Sequence, residues 1–169
     1  DLFPRRLAAE LGREMDIDGL IAQYREIVAG RLAKQPIQPG VEAIIKEAKS
    51  LGFPLAVASG STHRWVDGHL QRLGLFEYFD HTTCCEDTQK HKPDPDPYLH
   101  ACRALGVDPR DAMVLEDSAL GVTAAKAAGM KAVAVPTDMT RYQNFDHADL
   151  VLGSLDQMPL AELIEKLEN

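Results

Sequence analysis

Cysteine is scarce in this sequence. There are three in 169 residues, two of them adjacent, Cys84 and Cys85. No disulfide framework can be built from that set, which predicts a reducing, cytoplasmic setting. Basic residues are in the minority, 18 Lys and Arg against 26 Asp and Glu, for a formal net charge of −8. That balance excludes nucleic acid and anionic membrane as the main partner, yet leaves room for a phosphate held by local charge. The sequence has no apolar run long enough to cross a bilayer and opens on no signal-peptide pattern. Internal repeats and low-complexity tracts are also missing. What remains is an ordinary apolar share, 45%, enough for one core with a small appendage. A soluble monomer is the expectation.

The chain falls into two textures. Residues 1–34 read as amphipathic helix, with Leu2, Phe3, Leu7 and Leu11, then Leu20, Ile21, Tyr24, Ile27 and Val28, recurring at spacings of three and four. Residues 12–18 break it in two, with Asp16 or Asp18 capping the second helix. A Pro36-Ile-Gln-Pro39-Gly40 linker follows. From there strands and helices alternate: helix 41–51, strand 53–58, helix 62–73, a strand within 78–85, helix 98–105, strand 112–115, helix 119–128, strands 131–135 and 150–152, and helix 159–167. Alternation of this kind predicts βαβ units and a parallel α/β sheet. The predicted domains are 1–35, all helical, and 36–169, α/β.

Residues 113–129 organise the second part. A short apolar strand runs straight into Glu116 and Asp117; Ser118 offers an N-cap, strong helix formers follow, and Gly129 stands where a C′ glycine belongs. In an open α/β sheet, ligands bind outside the carboxyl ends of the strands. Two more polar groups share that edge. Ser59 follows the apolar Leu-Ala-Val-Ala stretch, and Lys92 lies in the loop after the 78–85 strand region. A hydroxyl, a lysine and two carboxylates suit phosphoryl chemistry. Ser59 and the backbone N–H groups after it hold phosphate oxygens, Lys92 neutralises charge building on the phosphoryl group, and the carboxylates hold Mg²⁺, a hard cation that prefers oxygen.

Ala58-Ser-Gly-Ser, Lys92-Pro-Asp-Pro and Leu115-Glu-Asp-Ser-Ala-Leu-Gly-Val resemble motifs II, III and IV of the haloacid dehalogenase superfamily, in its β-phosphoglucomutase-like phosphatase branch. The resemblance implies a Rossmann-like core with helices on both faces, plus part of a helical cap. It also implies an Mg²⁺-dependent phosphatase acting on a small phosphorylated metabolite, a sugar phosphate or similar. By the same resemblance Ser59 and Lys92 are catalytic and bind phosphate, Gly60 lends its backbone N–H, Asp117 is a direct metal ligand, and Glu116 holds the metal directly or through water. The alternatives are a phosphomutase and a catalytically dead phosphate- and metal-binding module. Thr62 and His63 stand where the mutases of this branch have lysine and asparagine, which disfavours the mutase.

One motif is missing. Family members open with an apolar strand running into Asp-x-Asp-Gly-Thr, whose first Asp becomes the aspartyl-phosphate. The expectation is that this nucleophile lies upstream of Asp1. The Met15-Asp-Ile-Asp-Gly-Leu20 stretch imitates the motif, but no apolar strand precedes it and an amphipathic helix follows, so Asp16 and Asp18 read as helix-capping acids. Other polar residues receive structural readings. Ser61 or Thr62 caps helix 62–73, His91, Arg25 and Arg31 are solvated, and Trp65, Tyr24 and Phe3 pack in cores or at the cap–core seam. Cys84 and Cys85 are buried strand residues, since no second Cys or His pair stands at zinc spacing.

Overall fold

The computed structural model describes residues 10, 12, 16–32 and 34–168. The chain divides into two units, Asp1–Pro36 and Ile37–Asn169. Helix α1 (Ile17–Leu32) belongs to the first unit. Its cap is the one predicted: the Asp16 carboxylate accepts from the Gly19 N–H at 2.9 Å, satisfying one of the unpaired donors at a helix start. Tyr24 is 67% exposed, so of its two expected places the core is excluded. Phe3, the first predicted helix and the Arg25 side chain lie outside the described residues.

In the second unit α2 (Val41–Ser50), β1 (Ala56–Ala58), α3 (His63–Arg72), β2 (His81–Thr83) and α4 (Asp96–Leu105) come first. They are followed by β3 (Met113–Glu116), α5 (Ala119–Ala127), β4 (Lys131–Ala134), β5 (Leu150–Val151) and α6 (Leu160–Glu168). Two boundaries differ from the predicted ones for local reasons. The strand predicted from residue 53 begins at Ala56, because Pro54 has no N–H and the Leu55 N–H is taken by the Asp80 carboxylate at 2.8 Å. Helix α4 starts two residues before its predicted start, with Pro97 in its first turn, where a missing donor costs nothing.

All strand pairing is parallel, as the alternation predicted, but it forms two ladders. β1 pairs with β2, Ala56 opposite His81. β3 pairs with β4, Met113 opposite Lys131, and β4 with β5, Val133 opposite Leu150. Among the described residues no strand pairs with the remaining edge of β1 or of β3.

Strand alternation builds both faces of the core. Ala132 and Ala134 of β4 pack with Val114 of β3, Val122, Ala124 and Ala125 of α5, and Tyr98 and Cys102 of α4. Val133 points the other way, into Ile44 and Ala48 of α2 and Leu160, Leu163 and Leu167 of α6. Helices therefore cover both faces. Glu47 of α2 also caps α6, accepting from the Leu160 and Ala161 N–H groups at 2.9 and 3.2 Å. Among the described residues no helix is long and apolar enough to cross a membrane.

Trp65 is 40% exposed and meets His69 edge-on at 4.6 Å, so of its two expected places the core is excluded. Its neighbour Val66 is buried instead. Thr62 is the residue before α3, but its hydroxyl caps nothing. The Glu86 carboxylate accepts from the His63 N–H instead, at 3.1 and 3.2 Å, so the cap comes from a residue distant in sequence.

Leu163 is fully buried. Leu163→Ala is expected to cost about 3 kcal/mol, from lost transfer energy plus the cavity left behind, measured by chemical denaturation. Asp80 joins Lys49 of α2, at 2.9 Å, to the Leu55 N–H. The Leu55 N–H, then the Lys49 ammonium, hold its carboxyl below the usual aspartate range. A depressed folded-state value contributes stability above the unfolded pKa of about 3.9, lost as pH falls through the folded value. Asp80→Asn is expected to flatten that acid-side loss in stability-versus-pH measurements.

Candidate active site

The carboxyl ends of β1 and β3 open into one cavity of about 600 Å³, lined by Val57, Ala58, Ser59, Gly60, Lys92, Leu115, Glu116, Asp117 and Ser118 among others. Every predicted site residue is therefore at one place. The strand register puts each there. Glu116 shares a face with Val114, two residues back on β3, and that face looks toward α4 and α5. Its neighbour Asp117 ends the strand and is the residue before the Ser118 cap.

Glu116 is almost entirely buried and all its donors are named. Oε1 is paired with the Lys92 ammonium and accepts from the Tyr98 hydroxyl at 2.7 Å. Oε2 accepts from the Ser118 N–H at 3.0 Å and the Ser118 hydroxyl at 2.9 Å. Burial works against ionisation here, but the charge and hydrogen bond of Lys92, with the bonds from Tyr98 and Ser118, prevail and hold Glu116 below the ordinary glutamate range. This carboxylate is committed to the protein. The sequence expectation made it the metal's partner, directly or through water; the geometry adds the role of anchor for Lys92.

Asp117 differs. It is half-buried, and among the described residues it has no salt-bridge partner. Burial, and then the negative charge of Glu116, push its carboxyl above the ordinary range. An oxygen donor with uncompensated charge at the rim of a cavity is the chemistry a hard divalent cation fits.

Lys92 has two of its three donors committed as well. Its ammonium donates to the Ala58 carbonyl at 3.1 Å and to Glu116, and lies 4.6 Å from the centroid of the Tyr98 ring. An ammonium has three donors, so one remains for the cavity. Fixing the long lysine stem in advance removes most of its rotamer entropy from the cost of any later interaction. His91 is exposed beside it, as expected.

The loop after β1 gives a mixed result. The Ser59 N–H is spent on the Thr83 carbonyl at 2.8 Å, so it cannot reach a phosphate. The Ser59 hydroxyl accepts from the Ser61 N–H at 3.1 Å, which leaves its own hydrogen free to donate into the cavity. Gly60 is exposed, and its N–H has no protein partner among the described residues. Ser59 Oγ–H and Gly60 N–H are thus the open donors of this loop whose residues line the cavity.

Two contributors escaped the sequence reading. Tyr98 holds Glu116 and shields Lys92, and its hydroxyl is itself pushed far above the tyrosine range by burial and by the Glu116 charge. Its position in the first turn of the helix that follows Lys-Pro-Asp-Pro was the available signal. Gly121 was read only as helix. A Cβ there would collide with the Glu116 carboxylate, so the glycine of Glu-Asp-Ser-Ala-Leu-Gly is the space into which that carboxylate packs.

Residues 4–129 match the family model for haloacid dehalogenase-like hydrolases. The chain belongs to that family. YhcW of Bacillus subtilis strain 168, which bears a phosphatase name, is 39% identical over 163 residues, 96% of this chain and 74% of that protein. A haloacid dehalogenase-like hydrolase domain-containing protein of Arabidopsis thaliana is 37% identical over 144 residues, 83% of this chain but 45% of that protein. Among solved structures, CbbY of Rhodobacter sphaeroides in complex with phosphate superposes with a TM-score of 0.79 at 30% identity, covering 98% of this chain and 77% of that one. A CbbY variant in complex with xylulose-(1,5)bisphosphate gives 0.78 at 32% identity, covering 95% and 76%. This haloacid dehalogenase-like chain is accordingly part of a hydrolase, and the names of its relatives make phosphatase the enzyme class.

Gly121→Ala is expected to displace Glu116 and cost about 1–3 kcal/mol. Gly68→Ala in α3, where a Cβ meets nothing within 4 Å, is expected to gain up to about 1 kcal/mol from helix propensity. Denaturation midpoints of the two variants check this contrast.

Proposed function

We propose that this chain is the core of an Mg²⁺-dependent phosphatase that hydrolyses a small phosphorylated metabolite, of the sugar-phosphate kind. One observation carries the reading. A lysine ammonium held by Ala58, Glu116 and Tyr98 keeps one donor for a cavity that also receives the Ser59 hydroxyl, the Gly60 N–H and the uncompensated Asp117 carboxylate. The phosphate and xylulose-(1,5)bisphosphate complexes of CbbY support a phosphorylated sugar as the substrate class.

In this reading the Ser59 hydroxyl and the Gly60 N–H each donate to a non-bridging phosphate oxygen and set the phosphorus in place. Lys92 faces a third oxygen and offsets the charge that develops there, with no reorganisation needed because its stem is already fixed. Mg²⁺, when bound, supplies further charge neutralisation at the phosphoryl oxygens, and Asp117 is the residue of this chain that holds it. The nucleophile that the family resemblance implies is an aspartate. Attack on phosphorus expels the alcohol of the ester; water then cleaves the aspartyl-phosphate and returns the carboxylate. We read residues 1–35 as part of the cap that excludes water, and the enzyme as a cytoplasmic monomer.

The test uses the protein expressed from its full reading frame, with sugar phosphates and sugar bisphosphates as substrates and inorganic phosphate release as the readout. Chelation of divalent metal is expected to abolish turnover and Mg²⁺ to restore it. Lys92→Ala is expected to lower kcat by about 10²–10³-fold, the usual cost of losing one donor to a developing oxyanion. Turnover that survives both treatments would overturn the reading.

A further inference from the structure

A second group of ligand-bearing side chains lies beneath the phosphate-binding loop. His63 opens α3, and Cys84 and Glu86 lie in the turn after β2. One ligand atom from each lies within 4.8 Å of the other two. In sequence these residues show no zinc spacing, and Cys84 and Cys85 alone read as strand. The parallel pairing of β1 with β2 brings the three together.

Their surroundings match those of a metal-binding histidine. Such an imidazole usually gives its second nitrogen to a carboxylate, which fixes ring orientation and tautomer. Here both nitrogens have one: Asp87 Oδ2 lies 2.7 Å from Nε2 and Asp67 Oδ2 3.5 Å from Nδ1. Whichever nitrogen takes a metal, the other keeps a carboxylate partner. Asp67 is held in turn by the Thr82 hydroxyl at 3.3 Å, and Asp87 by the Cys84 N–H at 2.6 Å. Asp67, Glu86 and Asp87 together bring three carboxylates to one imidazole, a local excess of negative charge. Cys84 is only 1% exposed, so a sulfur ligand is shielded from bulk oxidants.

We propose that His63, Cys84 and Glu86 form a Zn²⁺ site that clamps the loop at residues 59–62 to the turn at residues 84–87. A thiolate, an imidazole and a carboxylate are a borderline-soft donor set that suits Zn²⁺ and not Mg²⁺. A tetrahedral zinc shell needs ligand atoms about 3.5 Å apart, so atoms that now lie within 4.8 Å of one another draw together on binding. Cys84 binds as thiolate and its proton passes to solvent. Water or Cys85, whose Sγ lies 3.4 Å from Glu86 Oε2, completes the shell. The site is tied directly to the phosphate loop, because the Cys85 N–H donates to the Ser61 carbonyl at 3.0 Å and Glu86 holds the His63 N–H. Zinc here stiffens the segment that presents Ser59 and Gly60. Zinc binding itself is independent of the reaction proposed above.

Co²⁺ titration in excess Mg²⁺, with the full-length protein, tests the site. One Co²⁺ per chain is expected, with a thiolate-to-cobalt charge-transfer band and the intense visible bands of tetrahedral coordination. Zn²⁺ is expected to displace the Co²⁺ and to raise the melting temperature. Cys84→Ser should abolish the charge-transfer band, while Cys102→Ser should leave it intact. Glu86→Gln, at an exposed residue that leaves the core untouched, should weaken Co²⁺ binding about tenfold. Absence of the band in the folded wild-type protein would overturn the proposal. So would its persistence in Cys84→Ser, or an unchanged affinity in Glu86→Gln. Because the readout is spectroscopic, failure here is distinguishable from failure of the phosphatase reading.

Discussion

The buried pair of Lys92 and Glu116 is the interaction on which the carboxyl edge of this fold depends. Neither charge is tolerable alone in that place. Removing one partner from a buried pair leaves an uncompensated charge that costs about 3–5 kcal/mol. The protein meets the desolvation cost with a full set of hydrogen bonds: Ala58 and Glu116 to the ammonium, Tyr98 and Ser118 to the carboxylate. Those partners come from β1, β3, α4 and the cap of α5. The pair is therefore also a clasp. It ties the β1–β2 ladder to the β3–β4–β5 ladder, which share no strand hydrogen bond among the described residues.

That clasp divides labour between two adjacent acids. Glu116 follows Val114 on the strand face that looks toward α4 and α5, and is neutralised there. Asp117 ends the strand run and, among the described residues, has no salt-bridge partner. The same alternation that sorts Ala132 from Val133 into opposite cores separates an anchoring carboxylate from one at the cavity. The spacing of Glu-Asp-Ser-x-x-Gly then has a physical account. Glu anchors the lysine, Asp remains free, Ser both caps α5 and holds Glu, and Gly makes room for the carboxylate.

The loop after β1 is constrained from its other side. Ser59 is fixed through its N–H to Thr83, and Ser61 through its carbonyl to Cys85. His63 is held by Glu86 and Asp87. A loop so tied at three points presents its two open donors with little freedom left to lose, which favours recognition of a small anion.

Much of this was determined by sequence alone. Alternating strands and helices required a parallel α/β core, since short apolar runs bury both faces only under crossover helices. Three motifs at the strand ends named Ser59, Gly60, Lys92, Glu116 and Asp117, and the fold gathers all five at one cavity. The Ser118 cap, the Asp16 cap and the Gly129 terminus followed from local backbone chemistry, which acts over three or four residues and is legible at that range. What the tertiary structure decided was partnership. Only the packing of α4 against β3 shows that Tyr98 and Lys92 occupy Glu116, only the β1–β2 pairing shows that the Ser59 N–H is spent, and only the fold brings His63 to Cys84. These outcomes depend on contacts between residues about 18 to 24 positions apart, where no local propensity reaches and where burial, not sequence spacing, selects the partner of each charge.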